Sequence, residues 1–574
     1  MFLKVTRSGP RRYLQLIEAY RDAETGQPKQ RHVATLGRLD RLADGELDGL
    51  IDGLLKVSGR AGLVDPAVLV DRTKVRFEPS REVGPVWVLW QLWSQLQLPG
   101  ALQQRLGRGR RRLNLEPLVR AMVFNRLCEP CSKLGMLGWL ERVLLPSFEP
   151  AQATHQNLLR AMDALLTHKS AVERHLAAQL PAGTGLEVVC YDITTVRIHG
   201  QGEQPGEELR RWGHSKDVAG TDRQFAVGLV QTAEGFPLAH EVFAGNIGEK
   251  PTVRGIVQDL CRRFPIRRLV VIADRGMLSL DNLSELEGLQ VADGRAVEYI
   301  VAVPARRCQQ LTAALVDLHS ELIQASRNGE AEVIREAPND DGRRLVVAYS
   351  GANAKHSRRV RARRLRTVLH LARRLERRLD AQDRGDRVRG RRLTEAGAKA
   401  QLYRAVLEQR VSAWITVHWE APGYSWSWNL DALKQALHWD GKLVLISNVP
   451  QLEAAALIRR YKELADIERG FRILKSQLEI APVYHRLPDR LRAHTLICFL
   501  ALVLQRLLRY RLRQHAAELS PETMLERLRA VQYHQVRLPN GQRVANLTRL
   551  TPALRHLFKS VDVEVPLAQA FENA

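Results

Sequence analysis

The sequence predicts a multidomain α/β protein, and three observations carry that expectation. At 574 residues and 65.0 kDa the chain exceeds what one core can organise, so three or more domains are expected. Between Leu186 and Pro304, strand-type and helix-type patterns alternate, with acids set into two of the strands. From Tyr461 to Ile480, Leu464, Ile467, Phe471, Leu474 and Leu478 recur at steps of three and four, the mark of one buried helix face.

Composition narrows the class. Hydrophobic residues make up 45%, which argues against wholesale disorder. The formal charge is +24 with more arginine than lysine, a field that attracts polyanions, and the planar arginine fork suits phosphate. A generally basic proteome is the plainer source of part of that excess. Six cysteines scattered over the chain are no disulfide framework, and Cys128-Glu-Pro-Cys131 reads as two packed thiols at a helix end. No apolar h-region opens the chain, and the apolar run Leu496 to Leu504 is too short to span a bilayer. A cytoplasmic protein with no membrane partner is expected.

Taken in order, residues 1–80 read as a β-hairpin segment and linker, with FLKVT and RYLQLIEAYRD followed by RHVATLGRLD across a Gly/Pro-rich turn. Lys4, Arg7, Arg11, Arg12, Lys29 and Arg31 give it a basic face, for DNA or for solvent. Residues 81–180 carry four stretches at helical spacing and the basic loop Gly107 to Arg112, which suits a mainly helical N-terminal DNA-binding region.

At Leu186 the period changes. LEVVCYDITTVRI is a strand with Asp192 at its centre, where an acid is costly unless paired or holding a cation. QFAVGLVQT and PLAHEVFAGN form an antiparallel pair across the turn AEGF. TVRGIVQDLCRRF is an amphipathic helix, RRLVVIADRGM a strand ending in Asp274, LSLDNLSELEG a helix and EYIVAVP a fifth strand. Three strands, helix, strand, helix, strand, with acids in the first and fourth strands, is the order of an RNase H-like core. It is expected over 181–304 and again over 441–515, interrupted at 305–440 by a segment with hairpin and strand patterns that does not continue the core, and followed by a tail at 516–574. The insertion holds an arginine-dense stretch, His356 to Arg392, expected as one long basic helix, and then Trp414, Trp419, Tyr424, Trp426 and Trp428. Such aromatics serve base stacking or an ordinary hairpin core equally well.

Asp192, Asp274 and Glu468 each lie on an element suited to converge on one sheet edge. Three carboxylates there call for cations, and their hard oxygens suit Mg²⁺ or Mn²⁺. Two such ions roughly 3.5–4 Å apart would serve phosphodiester hydrolysis or transfer of a 3′-hydroxyl. Tyr461, Arg472 and Lys475 share the Glu468 stripe and would grip phosphate. The plain alternative is a surface helix with Glu468 paired to Arg472.

The motifs YDITTV around Asp192, GHSKDVAGTDRQ from Gly213, VVIADRG around Asp274 and YKELADIERGFRILK around Glu468 resemble DDE transposases of the IS4 superfamily, most like the IS1634 group. The likeness runs from the N-terminal GRLD segment to about Leu508. On the last helix Tyr461, Glu468 and Lys475 stand in the register of the family hallmark, while its Arg position is Leu464. The resemblance implies catalysis and two-metal binding by Asp192, Asp274 and Glu468, with double-stranded DNA as partner at terminal inverted repeats and at the target. It implies a homodimer at synapsis and a β-rich insertion, and assigns no particular tryptophan to a flipped base. His214 and Lys216, with Asp217, Asp222 and Gln224, fall in a family motif and would line the DNA path, or cap a polar loop. His199 and His240 read as structural. A catalytically silent DNA-binding descendant and a nuclease on the same fold are the competing readings.

Overall fold

The computed structural model describes residues 1–23, 26–39, 54, 57, 75–106, 114–180, 188–199, 209–214, 221–248, 250–264, 266, 268–273, 280–291, 293–303, 312–337, 342–387, 390–481, 483–515 and 518–571. The chain forms two compact units, residues 1–80 with 534–546 and residues 81–533 with 547–574.

In the first unit β1 (Phe2–Ser8), β2 (Arg11–Arg21) and β3 (Pro28–Arg38) make an antiparallel sheet in sequence order. Ser8 pairs with Arg11, so Gly9 and Pro10 form the whole turn, and Gly9 takes φ +61°, which its missing Cβ permits. The basic face is partly neutralised, since Lys29 pairs with Asp22 and Arg31 lies 2.6 Å from Glu18. β4 (Arg76–Phe77) also belongs here. The first three elements are therefore strands, and the helical region expected over 81–180 opens at Gly84.

The second unit opens with β5 (Arg81–Glu82) and six helices: α1 (Gly84–Gln95), α2 (Leu98–Leu106), α3 (Glu116–Cys128), α4 (Gly135–Arg142), α5 (His155–Thr167) and α6 (Lys169–Ala178). α3 buries Arg120 at 1% exposure, tolerable because Glu116 lies 3.2 Å away and the carbonyls of Pro146 and Ser147 accept its guanidinium.

There follow β6 (Val188–Arg197), β7 (Arg211–His214), β8 (Thr221–Thr232), β9 (Pro237–Ala244), α7 (Lys250–Arg263), β10 (Val270–Ala273), α8 (Leu280–Glu287) and β11 (Glu298–Ala302). β8 is antiparallel to both β6 and β9, while β10 runs parallel to β6 and to β11. The expected order of strands and helices is thus present, with the short edge strand β7 added.

The stretch 305–440 departs from expectation. It contains α9 (Thr312–Arg327), β12 (Val333–Ala337), β13 (Arg344–Tyr349), α10 (Gly351–Asp383), α11 (Glu395–Glu408), β14 (Ile415–Val417), β15 (Trp426–Trp428) and α12 (Leu430–Trp439). It is mainly helical rather than β-rich, because only two three-residue strands form around the tryptophans. The arginine-dense stretch is helical only as far as Asp383, where the 33-residue α10 ends short of the expected Arg392. β12 and β13 also continue the main sheet instead of leaving it. β13 pairs with β16 (Lys442–Ser447), and β16 pairs antiparallel with β11.

The chain closes with α13 (Ala454–Lys462), α14 (Leu464–Ser476), α15 (Pro488–Gln514), α16 (Pro521–Leu528), β17 (Gln532–Arg537), β18 (Arg543–Leu547) and α17 (Pro552–Lys559). The apolar run around Leu496 to Leu504 sits inside the 27-residue α15, long and apolar enough by composition to cross a membrane. Its apolar window is 94% buried, as α3, α5 and β9 pack around it. It is the core helix of this unit.

Candidate active site on the central strand

Asp192 lies mid-way along β6, opposite Leu229 of β8, and is half-buried. Its Oδ1 accepts the backbone N–H of Ile193 at 2.7 Å. Side chains alternate across a sheet, and residues paired across strands share a face. Tyr191 and Ile193 therefore point into the core beneath α7 and α8, while Asp192 shares the other face with Cys190, Thr194, Leu229 and Gln231.

That second face is covered by α14. The helix packs on β6, and its Gly470 approaches so closely that a Cβ there would stand 2.3 Å from Gln231 Nε2 and 3.2 Å from Arg506 Nη2. Gln231 is fully buried, so it has little room to yield. Gly470→Val is expected to lower stability by about 1–3 kcal/mol through overpacking and to displace Glu468, two residues away. Unfolding midpoints in urea and a DNA-cleavage assay would show both losses, and a variant matching wild type in both would remove this role from Gly470.

The five apolar residues that marked this region are all buried, Leu464 and Phe471 at 8% and 6%, the rest lower. One feature of the expected helix is corrected. It is not continuous from Tyr461, because α13 ends at Lys462, a turn at Glu463 intervenes, and α14 runs from Leu464 to Ser476. Tyr461 thus sits on a different helix from Glu468, joined to it through Glu463, whose φ of −64° and ψ of −18° stay in the helical region. Lys475 remains two turns from Glu468 on the same helix. Glu468 is exposed, and among the described residues it makes no ion pair or side-chain hydrogen bond, so the ordinary pair with Arg472 is not formed.

Arg472 has different company. With Arg469 of α14 and Arg509 and Arg513 of α15 it lines a cavity of about 440 Å³ that reaches Ser520 and Glu522 at the start of α16. Sequence reading missed Arg469, Arg509 and Arg513, because the three arginines other than Arg472 showed no shared spacing with it until α14 and α15 were packed together. Four guanidinium groups around one cavity suit phosphate oxygens.

Other expectations divide. Asp274, Lys216 and Asp217 lie outside the described residues. His214 closes β7, its backbone opposite Thr221. Asp222 is engaged by Arg197 at 2.6 Å, and Gln224, 2% exposed, donates to the Gly245 carbonyl at 3.0 Å. A Cβ on Gly213 would meet that same carbonyl oxygen at 2.1 Å. Asp222 thus links β8 to β6 and Gln224 links β8 to the end of β9, while Gly213 lets β7 pass close to Gly245. His240 is structural, buried beside Glu173 and stacked on Phe499. Trp414, Tyr424, Trp426 and Trp428 pack on the core shared by α10 and α11, and Trp419 stays 51% exposed against Tyr403. Cys128 and Cys131 are free thiols, the latter 3.3 Å from Asn125 Nδ2. Among the described residues no three His, Cys, Asp or Glu side chains are gathered to hold a metal.

Two family comparisons bear on this geometry. Residues 3–67 match the IS1634 family transposase, N-terminal domain, and residues 183–504 match the transposase DDE domain. No curated protein matches the chain. The DDE match spans more than half the sequence and takes in the central sheet, the stretch 305–440, α14 and most of α15. This chain belongs to the DDE transposases of the IS1634 type, divalent-metal-dependent enzymes of insertion sequences that act on DNA phosphodiester bonds.

Proposed function

We propose that Asp192, Asp274 and Glu468 form the catalytic triad of this transposase, on an RNase H-like core whose five strands stand in the order β9-β8-β6-β10-β11. The observation that carries the reading is that α14, bearing Glu468, covers the sheet face from which Asp192 projects. Ile272 of β10 lies opposite Cys190 of β6, and the chain reaches Asp274 two residues later, as β6 reaches Asp192. The segment 305–440 interrupts this core between its fifth strand and the Glu468 helix, although β12 and β13 add to the sheet.

The donors fit hard divalent cations, since all three are carboxylates and no thiol or imidazole is among them. Two Mg²⁺ or Mn²⁺ ions held by Asp192, Asp274 and Glu468 would supply activation of the attacking oxygen and stabilisation of the leaving one. Asp192, fixed at one oxygen by the Ile193 N–H, offers a carboxylate of set orientation. Lys475 and the arginines around Arg472 would offset negative charge on the DNA backbone. His214, Lys216 and Tyr461 are proposed as further DNA contacts. The substrates are the terminal inverted repeats and a target duplex, engaged by a homodimer in the cytoplasm.

The test is excision from a donor plasmid carrying the element's own ends. Cleavage should appear with Mg²⁺ or Mn²⁺, vanish with EDTA and return when metal is restored in excess. Cleavage that persists in chelator would overturn the metal-dependent triad.

A further inference from the structure

We infer that the outer face of α10 is a track for the phosphate backbone of duplex DNA, separate from the catalytic sheet. The inference rests on the reading of the chain as a DNA-handling enzyme and adds a surface to it. The helix buries Leu365, Val368, Ala372, Leu375 and Leu379 along one side, against α11 and the β14–β15 hairpin. Along the opposite side stand Lys355, Arg359, Arg363, Arg366, Arg373 and Arg377, all exposed, with His370 in the same row. Their steps are four, four, three, four, three and four, so at 3.6 residues per turn they fall within a sector of roughly 80°.

Ordinary surface helices intersperse acids among such cations. Here the acids of α10's second half, Glu376, Asp380 and Asp383, fall outside that sector by the same count. Among the described residues none of the six cations has an ion-pair partner, whereas Arg361, on the buried side, is paired with Asp440. Among the described residues no acid is paired into such a row to offset its repulsion, and a polyanion would relieve it.

Length and composition select the polyanion. From Lys355 to Arg377 the row spans about 33 Å at 1.5 Å per residue, close to one turn of B-form duplex, about 34 Å. No large apolar side chain lies in the sector, so the face lacks what an interfacial helix would bury in a lipid surface. A row of guanidinium groups without base-reading geometry grips phosphates irrespective of sequence. The surface would hold DNA flanking the bond being cut.

The test is the salt dependence of binding of the full chain to a duplex of the element's end and to a scrambled duplex of equal length. The triple variant Arg359→Gln, Arg363→Gln, Arg366→Gln keeps helix-forming residues at exposed positions, so it should fold as wild type, checked by circular dichroism. Its slope of log K against log salt should be shallower by about 2 to 3 on both duplexes, at roughly 0.9 per lost phosphate contact. The corresponding triple Arg→Lys variant should keep the wild-type slope. An unchanged slope in the Gln variant makes this a solvated face and overturns the inference. A change confined to the end sequence, or seen on RNA and not on duplex DNA, overturns it too. Wild type that binds no duplex at all would instead sink the wider DNA reading, a different failure.

Discussion

Glu468→Gln should abolish excision while leaving DNA binding and folding intact. The substitution keeps the shape of the side chain and removes the charge that would help hold a divalent cation against Asp192. A single preorganised electrostatic contact of this kind is worth about 10²–10³ in rate, and a metal ligand that positions the ion should sit at or above the top of that range. Stability should change by no more than about 0.5 kcal/mol, because Glu468 is exposed and has no partner among the described residues. Asp192→Asn should fall as far in rate, and Asp274→Asn with it. Excision and strand transfer would be scored on a donor plasmid, beside a gel-shift on the element's end. Variants that cut as wild type does would move the active centre away from β6 and α14. Variants that neither cut nor bind would make Glu468 a residue of the DNA interface instead.

What could be read from the sequence followed from local periodicity. The β-type run around Asp192 and the continuous apolar run before Asp274 gave strands, because short runs rich in β-branched residues suit a buried strand. The face of Leu464, Ile467, Phe471 and Leu474 gave the helix that covers them. The break at Glu463 was hidden, since its backbone stays in the helical region and nothing in the residue types marks the turn. The insertion departs from its expected β-rich character because its strand patterns give only the short β12 to β15, whereas α9, α10, α11 and α12 make up most of its described residues. The arginine cavity could not be read at all, for Arg469, Arg472, Arg509 and Arg513 meet only once α14 lies on α15. Asp222 and Gln224 looked like ligand contacts for the opposite reason, since polar residues in a short motif do not reveal that Arg197 and Gly245 already engage them.

The same limit hid a fully buried charge in the unit. Glu173, on α6, is fully buried, with Oε1 accepting the His240 N–H at 3.1 Å and lying 2.8 Å from His240 Nδ1, while Oε2 meets Arg263 and stands 3.9 Å from Lys169. Burial alone would raise its pKa, yet His240, Lys169 and Arg263 outweigh it and hold the carboxyl down to about 2 from the usual 4.5. A depressed acid contributes stability that is fully present above the unfolded value and lost as pH falls from about 4.5 towards 2. Holding the carboxyl that low corresponds to about 3 kcal/mol. Glu173→Gln should therefore cost about 3–5 kcal/mol near pH 7, because among the described residues it leaves Arg263, 9% exposed, with Asp259 at 2.7 Å as its one remaining ion-pair partner. The gap between wild type and variant should narrow as pH falls from 5 to 3, as read from urea midpoints at constant slope. Equal gaps at both pH values would mean that Glu173 is not held ionised and that α6 is fixed to β9 by packing alone.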